Sequence, residues 1–278
     1  MAVLNIPHMS TQISIDKAQR QGAADMPYMH FHPCCELYYL LSGERRYFIG
    51  HTIYDVAPGD VVLIPKNELH QTTALHNKGY DRYVVYFYED SIRELMDALG
   101  ETTVASFFNS GCFQLPPEQA DKVRKALEQI ACEGSQGDAF SNIMVKNILH
   151  QILLTVFRHG TRKNREQSES TDKIQEVARY ISENYASPFT LRDAAKMAFM
   201  EETYFSKQFK RLTGFGFHEY LVQTRIKAAE HMLLLTSLSI SEISEQCGFS
   251  GSNYFGDVFR RWKGMSPSEY RKTNTEPL

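Results

Sequence analysis

Three histidines and one glutamate near the start of the chain have the residue types and spacing of a metal or ligand site. His30, His32 and Glu36 follow one another closely, and His70 comes later in the same half. On an extended strand, His30 and His32 would point to the same face. Imidazole nitrogens and a carboxylate bind divalent Fe, Mn, Ni or Zn, and the same groups can hydrogen-bond a small polar molecule. Metal ligation, effector contact without metal, and a purely structural role therefore all stay open.

Short strands should hold these residues. Between Met26 and Tyr88, runs rich in Tyr, Ile and Val alternate with Gly and Pro breaks every 8–12 residues or so. This pattern predicts a small β-barrel or sandwich. Tyr38 joins the effector candidates, because a tyrosine ring in the barrel could stack on the apolar face of a sugar. Everything after Asp172 has helical periodicity, so the expected fold class is α+β with several domains.

The order of residues in this half resembles a cupin barrel. His30-x-His32, Glu36 and Gly43 match the first cupin motif, and Gly59-Asp60, Pro65 and His70 match most of the second. Asn67 stands where glycine is common in the loop before the histidine. The resemblance implies that the four candidate ligands, His30, His32, Glu36 and His70, meet at the mouth of the barrel.

The most specific pattern lies near the other end of the chain. Ile240, Ile243 and Cys247 form an apolar stripe at helical spacing, and Gly248 then ends the helix. The next helix is expected to bury Tyr254, Phe255, Val258, Phe259 and Trp262. Its polar face consists of Ser252, Asn253, Gly256, Asp257, Arg260 and Arg261. Two helices around a glycine turn, the second with a polar outer face, predict a DNA-binding helix-turn-helix.

An internal repeat strengthens this prediction. The segment ETYFSKQFKRLTG, residues 202–214, matches SNYFGDVFRRWKG, residues 252–264, in an aromatic pair, a later Phe, a basic pair and a Gly. Helices are expected over Leu191–Met197, Glu201–Leu212 and Phe217–Leu235, with Tyr204, Phe205 and Phe209 buried. Two such units joined by one helix can enter successive major grooves roughly 34 Å apart.

Helical faces assign roles to the polar residues of both copies. In the first copy Thr203, Ser206 and Lys207 are candidates for base edges, and Lys210 and Arg211 for phosphates. In the second copy the base-edge candidates are Ser252, Asn253 and Asp257, since Asn can pair with adenine and Asp can accept from cytosine. Asp257 could instead pair with Arg261 four residues on. Arg260 and Arg261 supply local positive charge for phosphates.

The C-terminal residues resemble the AraC/XylS family of transcription regulators over roughly the last hundred positions. The match runs through Ile240-x-Glu242-Ile243, Gly248-Phe249, Tyr254-Phe255, Phe259-Arg260, Gly264, Ser266-Pro267 and Tyr270-Arg271. Ala198-Phe199-Met200 replaces the usual glycine turn of the first unit, and Gly256 replaces a larger polar residue. The resemblance implies a cupin effector domain, operator DNA as partner, and Arg225 as a phosphate contact, its alternative being an ion pair at the core edge.

Four segments are expected along the chain. They are a barrel over 1–95, bridging helices over 96–160, a polar linker over 161–171 and the DNA-binding domain over 172–278. Two helices are expected in the bridge, Pro117–Cys132 and Ala139–Phe157. The second helix is apolar around more than half of its circumference, so it needs packing partners on two sides. The family resemblance implies a homodimer through this region.

Composition fits a cytoplasmic regulator. The chain has 278 residues, 42% hydrophobic, with 30 basic and 33 acidic side chains. From Asp172 onward there are 14 basic and 13 acidic residues, so DNA binding must rely on local basic clusters. No apolar run approaches the ~18 residues of a membrane span, and the N-terminus lacks signal-peptide features. Five scattered cysteines suit a reducing compartment.

These patterns favour an effector-responsive transcription regulator and not an enzyme. The effector is a small molecule, with a sugar as the expectation from the fold. RNA polymerase is a further partner if the protein is an activator, which the family favours. Two alternatives use the His/Glu residues differently: a metal-sensing regulator, in which chelation alone changes DNA binding, and a metal-dependent cupin enzyme with a DNA-binding tail.

Overall fold

The computed structural model describes residues 13–20, 31–76, 79–109, 111–135, 138–163 and 168–275. The chain divides into two compact units, Met1–Glu166 and Gln167–Leu278. The first consists of antiparallel sheets covered by helices, and the second of helices alone among its described residues. This agrees with the α+β class expected from the sequence.

Two antiparallel sheets form the N-terminal unit. The larger has the strand order β1-β7-β2-β5-β8-β9 and the smaller has β4-β3-β6. Their bounds are β1 Ile13–Arg20, β2 Cys35–Ser42, β3 Arg45–Ile49, β4 Thr52–Val56, β5 Val61–Ile64, β6 His70–Ala74, β7 Tyr80–Phe87, β8 Cys112–Gln114 and β9 Thr161–Arg162.

Alternation along β2 explains why this strand is almost entirely apolar. Tyr38 and Leu40 face the interior between the two sheets, together with Tyr47 of β3. Leu37 and Tyr39 point the other way, into a second core beneath the helices. A strand that is buried on both faces needs apolar or satisfied polar residues at every position.

Helices cover the outer face of the larger sheet. A 3-10 helix, Glu89–Ile92, leads into α1 (Arg93–Leu99) and α2 (Glu101–Phe108), and α3 (Pro117–Gly134) and α4 (Ala139–His159) follow. Apolar residues of α3 and α4, including Leu127 and Leu149, are buried in one core with Leu37. Both expected bridging helices are therefore present, each two residues longer at its C-terminal end.

The segment 96–160 contains more than the two bridging helices. It contains most of the short helices α1 and α2, which were not expected, and β8, whose Cys112 pairs with Val62 of β5. The prediction that no segment could span a membrane also needs correction: within α4, Phe140–His159 is long and apolar enough by length and composition. Its inner face is buried against α3 and the sheet, and 39% of this stretch is buried in all.

The predicted linker over 161–171 is wrong at both ends. Thr161 and Arg162 form β9, which pairs with Gln114 and Phe113. The next residue, Lys163, donates its backbone N–H to the Cys112 carbonyl at 2.9 Å and its ammonium to Asp60 at 2.6 Å. At the other end α5 begins at Glu169, with Ser168 as its N-cap. The remaining positions, 164–167, lie outside the described residues.

The C-terminal unit contains seven helices among its described residues. They are α5 Glu169–Glu183, α6 Leu191–Met197, α7 Glu202–Thr213, α8 Phe217–Leu235, α9 Ile240–Gln246, α10 Ser252–Lys263 and α11 Pro267–Thr275. Capping boxes start both α6, through Thr190 and Asp193, and α9, through Ser239 and Glu242. Left-handed glycines, Gly214 and Gly264, end α7 and α10. The repeat seen in the sequence therefore corresponds to a repeat of N-terminal capping boxes and C-terminal glycines in the structure.

Candidate effector and DNA-contact sites

Three polar side chains converge in the interior of the N-terminal unit. The ligand atoms of His32, Glu36 and His70 lie within 4.8 Å of one another, and all three residues are buried. Nε2 of His32 is 3.2 Å from Glu36 Oε2, and Nε2 of His70 is 3.4 Å from the same oxygen. The fourth candidate, His30, lies outside the described residues.

Backbone carbonyls fix the orientation of both imidazoles. Nδ1 of His32 lies 2.7 Å from the Cys34 carbonyl, and Nδ1 of His70 lies 2.8 Å from the Glu68 carbonyl. A carbonyl oxygen only accepts, so each Nδ1 carries hydrogen and each Nε2 of a neutral ring presents a lone pair. Two lone pairs and a carboxylate oxygen then face one another, which requires a proton or a metal cation between them.

Protonation is one way to satisfy this arrangement. Burial opposes charge on His32, but hydrogen bonds with Cys34 and Glu36 outweigh it and raise the His32 pKa to about 10. Burial likewise opposes charge on Glu36, yet hydrogen bonds with His32 and His70 hold the pKa of its carboxyl well below the usual value. Tyr47 donates to the other carboxylate oxygen at 3.4 Å.

Binding of a divalent metal is the other way to satisfy this arrangement of lone pairs. Two imidazole nitrogens and one carboxylate oxygen suit Fe, Mn, Ni or Zn, and the carbonyl bonds to Nδ1 are the supporting contacts that metal-bound histidines usually have. In the loop before His70, Asn67 adopts φ +58° where the cupin motif commonly has glycine. Its N–H donates to the His32 carbonyl at 2.7 Å, which holds that loop against the first motif.

Tyr38 lies in the same interior, among other tyrosines. It is fully buried and meets the Tyr47 ring edge-on, with 4.9 Å between ring centroids. Tyr54, Tyr80 and Tyr86 also pack in this cluster. The interior therefore combines aromatic ring faces with polar groups.

Exposed helical faces present the expected DNA-contact residues in both repeats. On α7, Thr203, Lys207, Lys210 and Arg211 are exposed and Ser206 is half-buried. On α10, Ser252, Asn253, Asp257, Arg260 and Arg261 are all exposed. Phe205 and Phe255 are fully buried at equivalent positions, so the two helices present equivalent faces.

The turns before these helices are also equivalent, although their residues differ. Gly248 adopts φ +75°, and Phe199 adopts φ +54° at the matching position of the first unit. Phe199 donates to Lys196 O at 3.0 Å, and Gly248 donates to Glu245 O at 2.9 Å. The replacement of the glycine turn by Ala198-Phe199-Met200 therefore leaves the turn geometry intact, with a strained bulky residue in it.

Several basic side chains are already engaged within the protein. Arg211 donates twice to Gln208 on its own helix, at 2.9 and 2.6 Å. Arg225 donates to the Tyr185 and Ser187 carbonyls at 2.8 and 3.2 Å, in place of the ion pair considered as its alternative role. Among ion pairs between described residues, none links Asp257 to Arg261. The Asp257 side chain is exposed.

Two tyrosines were assigned wrongly from the sequence. Tyr204 and Tyr254 are each 51% exposed, although both were expected to be buried. Because one residue corresponds to about 100° of helix, burying Phe205 and Phe255 turns the preceding tyrosine outward. Trp262 is half-buried. The identical placement of Tyr in both repeats was the signal that could have marked these residues as surface contacts.

Comparison with known proteins agrees with both halves of this description. The AraC-like ligand binding domain family matches residues 18–153, and a helix-turn-helix domain family matches residues 194–273. The transcriptional activator RhaR of Escherichia coli strain K12 is 27% identical over 252 residues, covering 89% of this chain and 88% of that protein. The chain belongs to the AraC family of transcription regulators.

Solved structures resemble this AraC-family chain more loosely. The C-terminal domain of the response regulator yesN from Fusobacterium nucleatum is 35% identical and covers 37% of this chain and 99% of that one, with a TM-score of 0.35. ToxT from Vibrio cholerae is 14% identical over 96% of this chain and 99% of its own, with a TM-score of 0.39. The family assignment rests on the sequence matches.

Gly256 gives a direct test of the exposed face of α10. A Cβ added there would meet nothing within 4 Å. Glycine within a helix costs ~1 kcal/mol relative to alanine, so Gly256→Ala should raise the free energy of unfolding of the C-terminal unit by about 0.5–1 kcal/mol. Urea denaturation followed by the fluorescence of Trp262 measures this. A destabilised variant would mean that the face is covered.

Proposed function

We propose that this AraC-family protein regulates transcription in the cytoplasm by binding operator DNA through α7 and α10, under the control of a small molecule held between its two sheets. The observation that carries this proposal is the pair of equivalent helices. Each follows a capped helix and a left-handed turn, buries a Phe, and exposes polar and basic residues on its outer face.

Roles on DNA follow from position along each helix. Thr203, Ser206 and Lys207 of α7 and Ser252, Asn253 and Asp257 of α10 face base edges, since they lie on the first two turns of each exposed face. Lys210, Arg211, Arg225, Arg260 and Arg261 contact phosphates. Tyr204 and Tyr254 add hydroxyl donors to the sugar-phosphate backbone, because both stand exposed at the helix starts.

Base and phosphate contacts predict different outcomes for two variants. Asn253→Ala should weaken binding to a selected operator by about 1–3 kcal/mol and leave binding to random duplex unchanged. Lys210→Ala should weaken binding to both duplexes and reduce the salt slope by about 1. Fluorescence anisotropy across a salt series measures both effects, with Lys272→Ala on α11 as the charge-matched control. Equal losses on operator and random DNA for Asn253→Ala would contradict its assignment to a base.

We further propose that the protein acts as a homodimer through α4. Phe140, Ile143, Met144 and Leu154 expose 78, 62, 47 and 39% of their surface, and they follow one another along a face of α4. Large exposed apolar side chains on one helix are typical of an interaction surface. A second copy of the same helix would cover them and would bring a second DNA-binding unit to the operator.

A charge placed on this face should prevent dimerisation. Ile143→Glu is expected to convert a dimer into a monomer, because burying the carboxylate at the interface is unfavourable. Sedimentation velocity gives the oligomeric state, and Gln129→Glu on the exposed face of α3 is the control. A wild-type monomer at all concentrations, or an unchanged dimer in Ile143→Glu, would contradict the proposal.

Activation is the expected direction of control. RhaR of Escherichia coli, which is similar to this chain along most of its length, is named a transcriptional activator. An activator must also contact RNA polymerase. A reporter placed downstream of the selected operator tests this, since added protein should raise its transcription and a repressor would lower it.

Metal sensing is a second candidate function for the same interior. The converging lone pairs of His32, His70 and Glu36 favour it. In that case the purified protein would contain close to one divalent metal per chain, and His70→Ala would lose it. A chelator would change operator binding by the wild type and leave the variant unaffected. Equal operator binding by the metal-free and the metal-loaded protein would exclude metal sensing.

A further inference from the structure

Three buried polar atoms on neighbouring strands of the larger sheet have no hydrogen-bond partner among the described residues. They are Ser14 Oγ, Tyr38 Oη and Arg82 Nη1. Tyr38 is fully buried, and the Arg82 side chain is only 15% exposed. Buried donors without partners are unfavourable and rare in proteins, so their presence together calls for an explanation.

All three residues lie on one wall of the interior. Their strands β1, β7 and β2 are neighbours in the larger sheet. Ser14 pairs with Tyr86, Tyr38 pairs with Val84, and Arg82 pairs with Leu40. Tyr86, Val84 and Leu40 belong to the interior cluster, and directly paired residues share a face. The three polar residues therefore occupy successive rows, about 7 Å apart, on the same interior wall.

The charge of this wall selects the ligand. Arg82 Nη2 is bonded to Asp16 at 2.9 Å, and that carboxylate is 56% exposed. Arg45 is a second cation in the interior, fully buried, bonded to Thr72 and 4.2 Å from the Tyr80 ring centroid. The buried carboxylate of Glu36 already accepts from Tyr47 and lies against the two imidazoles.

We propose that the effector is a small anionic sugar, whose carboxylate or phosphate accepts from Arg82 Nη1 while other oxygens of the same sugar accept from the Tyr38 and Ser14 hydroxyls. Guanidinium groups match carboxylate and phosphate oxygens in geometry and charge. The tyrosine rings of the interior supply faces for the sugar ring. This inference rests on the proposed function, in which the effector binds between the sheets.

Matched sets of sugars test the proposal on the full chain. Thermal melting and titration calorimetry would compare glucose, glucuronate and glucose 6-phosphate, and likewise galactose, galacturonate and galactose 6-phosphate. We expect one acidic member to raise the melting temperature while its neutral counterpart at equal concentration does not. The uronate and phosphate arms identify which anion is bound.

Two variants assign the binding to the proposed wall. Arg82→Gln should lower the affinity for the acidic sugar about 10- to 100-fold, the usual effect of losing a charge-assisted hydrogen bond. Tyr38→Phe keeps the ring but removes the hydroxyl, and it should lower this affinity about 3- to 10-fold. Arg46→Gln, on the opposite face of β3 and paired with Asp55, is the control.

Two results would overturn the anionic effector. One is a neutral sugar that stabilises the protein as much as its acid, with affinity unchanged in Arg82→Gln. The other is no stabilisation by any acidic sugar in the panel. Neither result would contradict the proposed function. That proposal would fail if the protein showed no sequence-selective DNA binding.

Discussion

Replacing Glu36 with alanine is expected to lower the free energy of unfolding of the N-terminal unit by about 3–5 kcal/mol. The substitution leaves the buried His32, His70 and Tyr47 without the carboxylate that they share. Circular dichroism during urea denaturation follows the β-rich unit, and the fluorescence of Trp262, the single tryptophan, follows the C-terminal unit. Only the first transition should shift. Glu44→Ala, whose side chain is 55% exposed, is the control. Loss of less than 1 kcal/mol, roughly the value of a surface pair, would contradict the account.

The same cluster predicts a dependence on pH. The His32 pKa is raised to about 10, so above its unfolded value of 6.5 the native state holds a proton that the unfolded state lacks. Stability from this group is fully present below pH 6.5 and is lost as the pH rises toward 10. The Glu36 pKa is lowered, so its contribution is lost instead as the pH falls into the acid range.

His32→Gln should flatten the fall in stability between pH 7 and about 9, because the group that releases the proton is gone. A metal in the cluster would act in the opposite direction. Its ligands must be deprotonated, so stability would rise over the same range and would fall on chelation. Denaturation curves with and without a chelator at three pH values separate the two cases.

Gly248→Ala should destabilise the C-terminal unit by about 3 kcal/mol, which sums a left-handed backbone penalty and an overpacking penalty. At φ +75°, a Cβ on this residue would lie 2.3 Å from the Ala186 carbonyl oxygen. The backbone of residue 186 would have to move. Here the Trp262 transition should shift and the transition of the β-rich unit should not.

The matched change in the first repeat has the opposite sign. Phe199 holds φ +54° and is 86% exposed, so its ring contributes little burial. Phe199→Gly removes about 1–2 kcal/mol of strain and adds about 0.5–1 kcal/mol of unfolded-state entropy. A net gain of about 0.5–1 kcal/mol follows from these terms. Loss of stability in both variants would contradict the equivalence of the two turns.

Local signals made the helical unit predictable. α6 and α8 have the bounds expected from the sequence, because Thr190 caps the first and apolar residues repeat at helical spacing along the second. Tyr204 and Tyr254 were placed on the wrong face, since an aromatic pair does not say which of its two rings enters the core. The strands β8 and β9, of three and two residues, are too short to have a readable period.

Some residues of the candidate sites could be predicted from the sequence, and others could not. His32, Glu36 and His70 could be grouped from the sequence because motif spacing alone brings them together. Ser14, Arg45 and Arg82 could not, since only the strand register decides which charged residues turn inward. The ion pair between Lys163 and Asp60 could not be predicted for the same reason. It joins a residue of the predicted linker to a turn of the barrel that is far away in the sequence.

We expect the two equivalent helices α7 and α10 to read DNA together. Selection of bound duplexes from a random-sequence pool by the full-length chain tests it most directly. We expect an enriched operator with two elements about one helical turn, or 10 base pairs, apart. Thr203→Ala with Lys207→Ala should erase one element, and Asn253→Ala with Ser252→Ala the other. A pool without enrichment, or a motif with one element that survives either pair of substitutions, would contradict it.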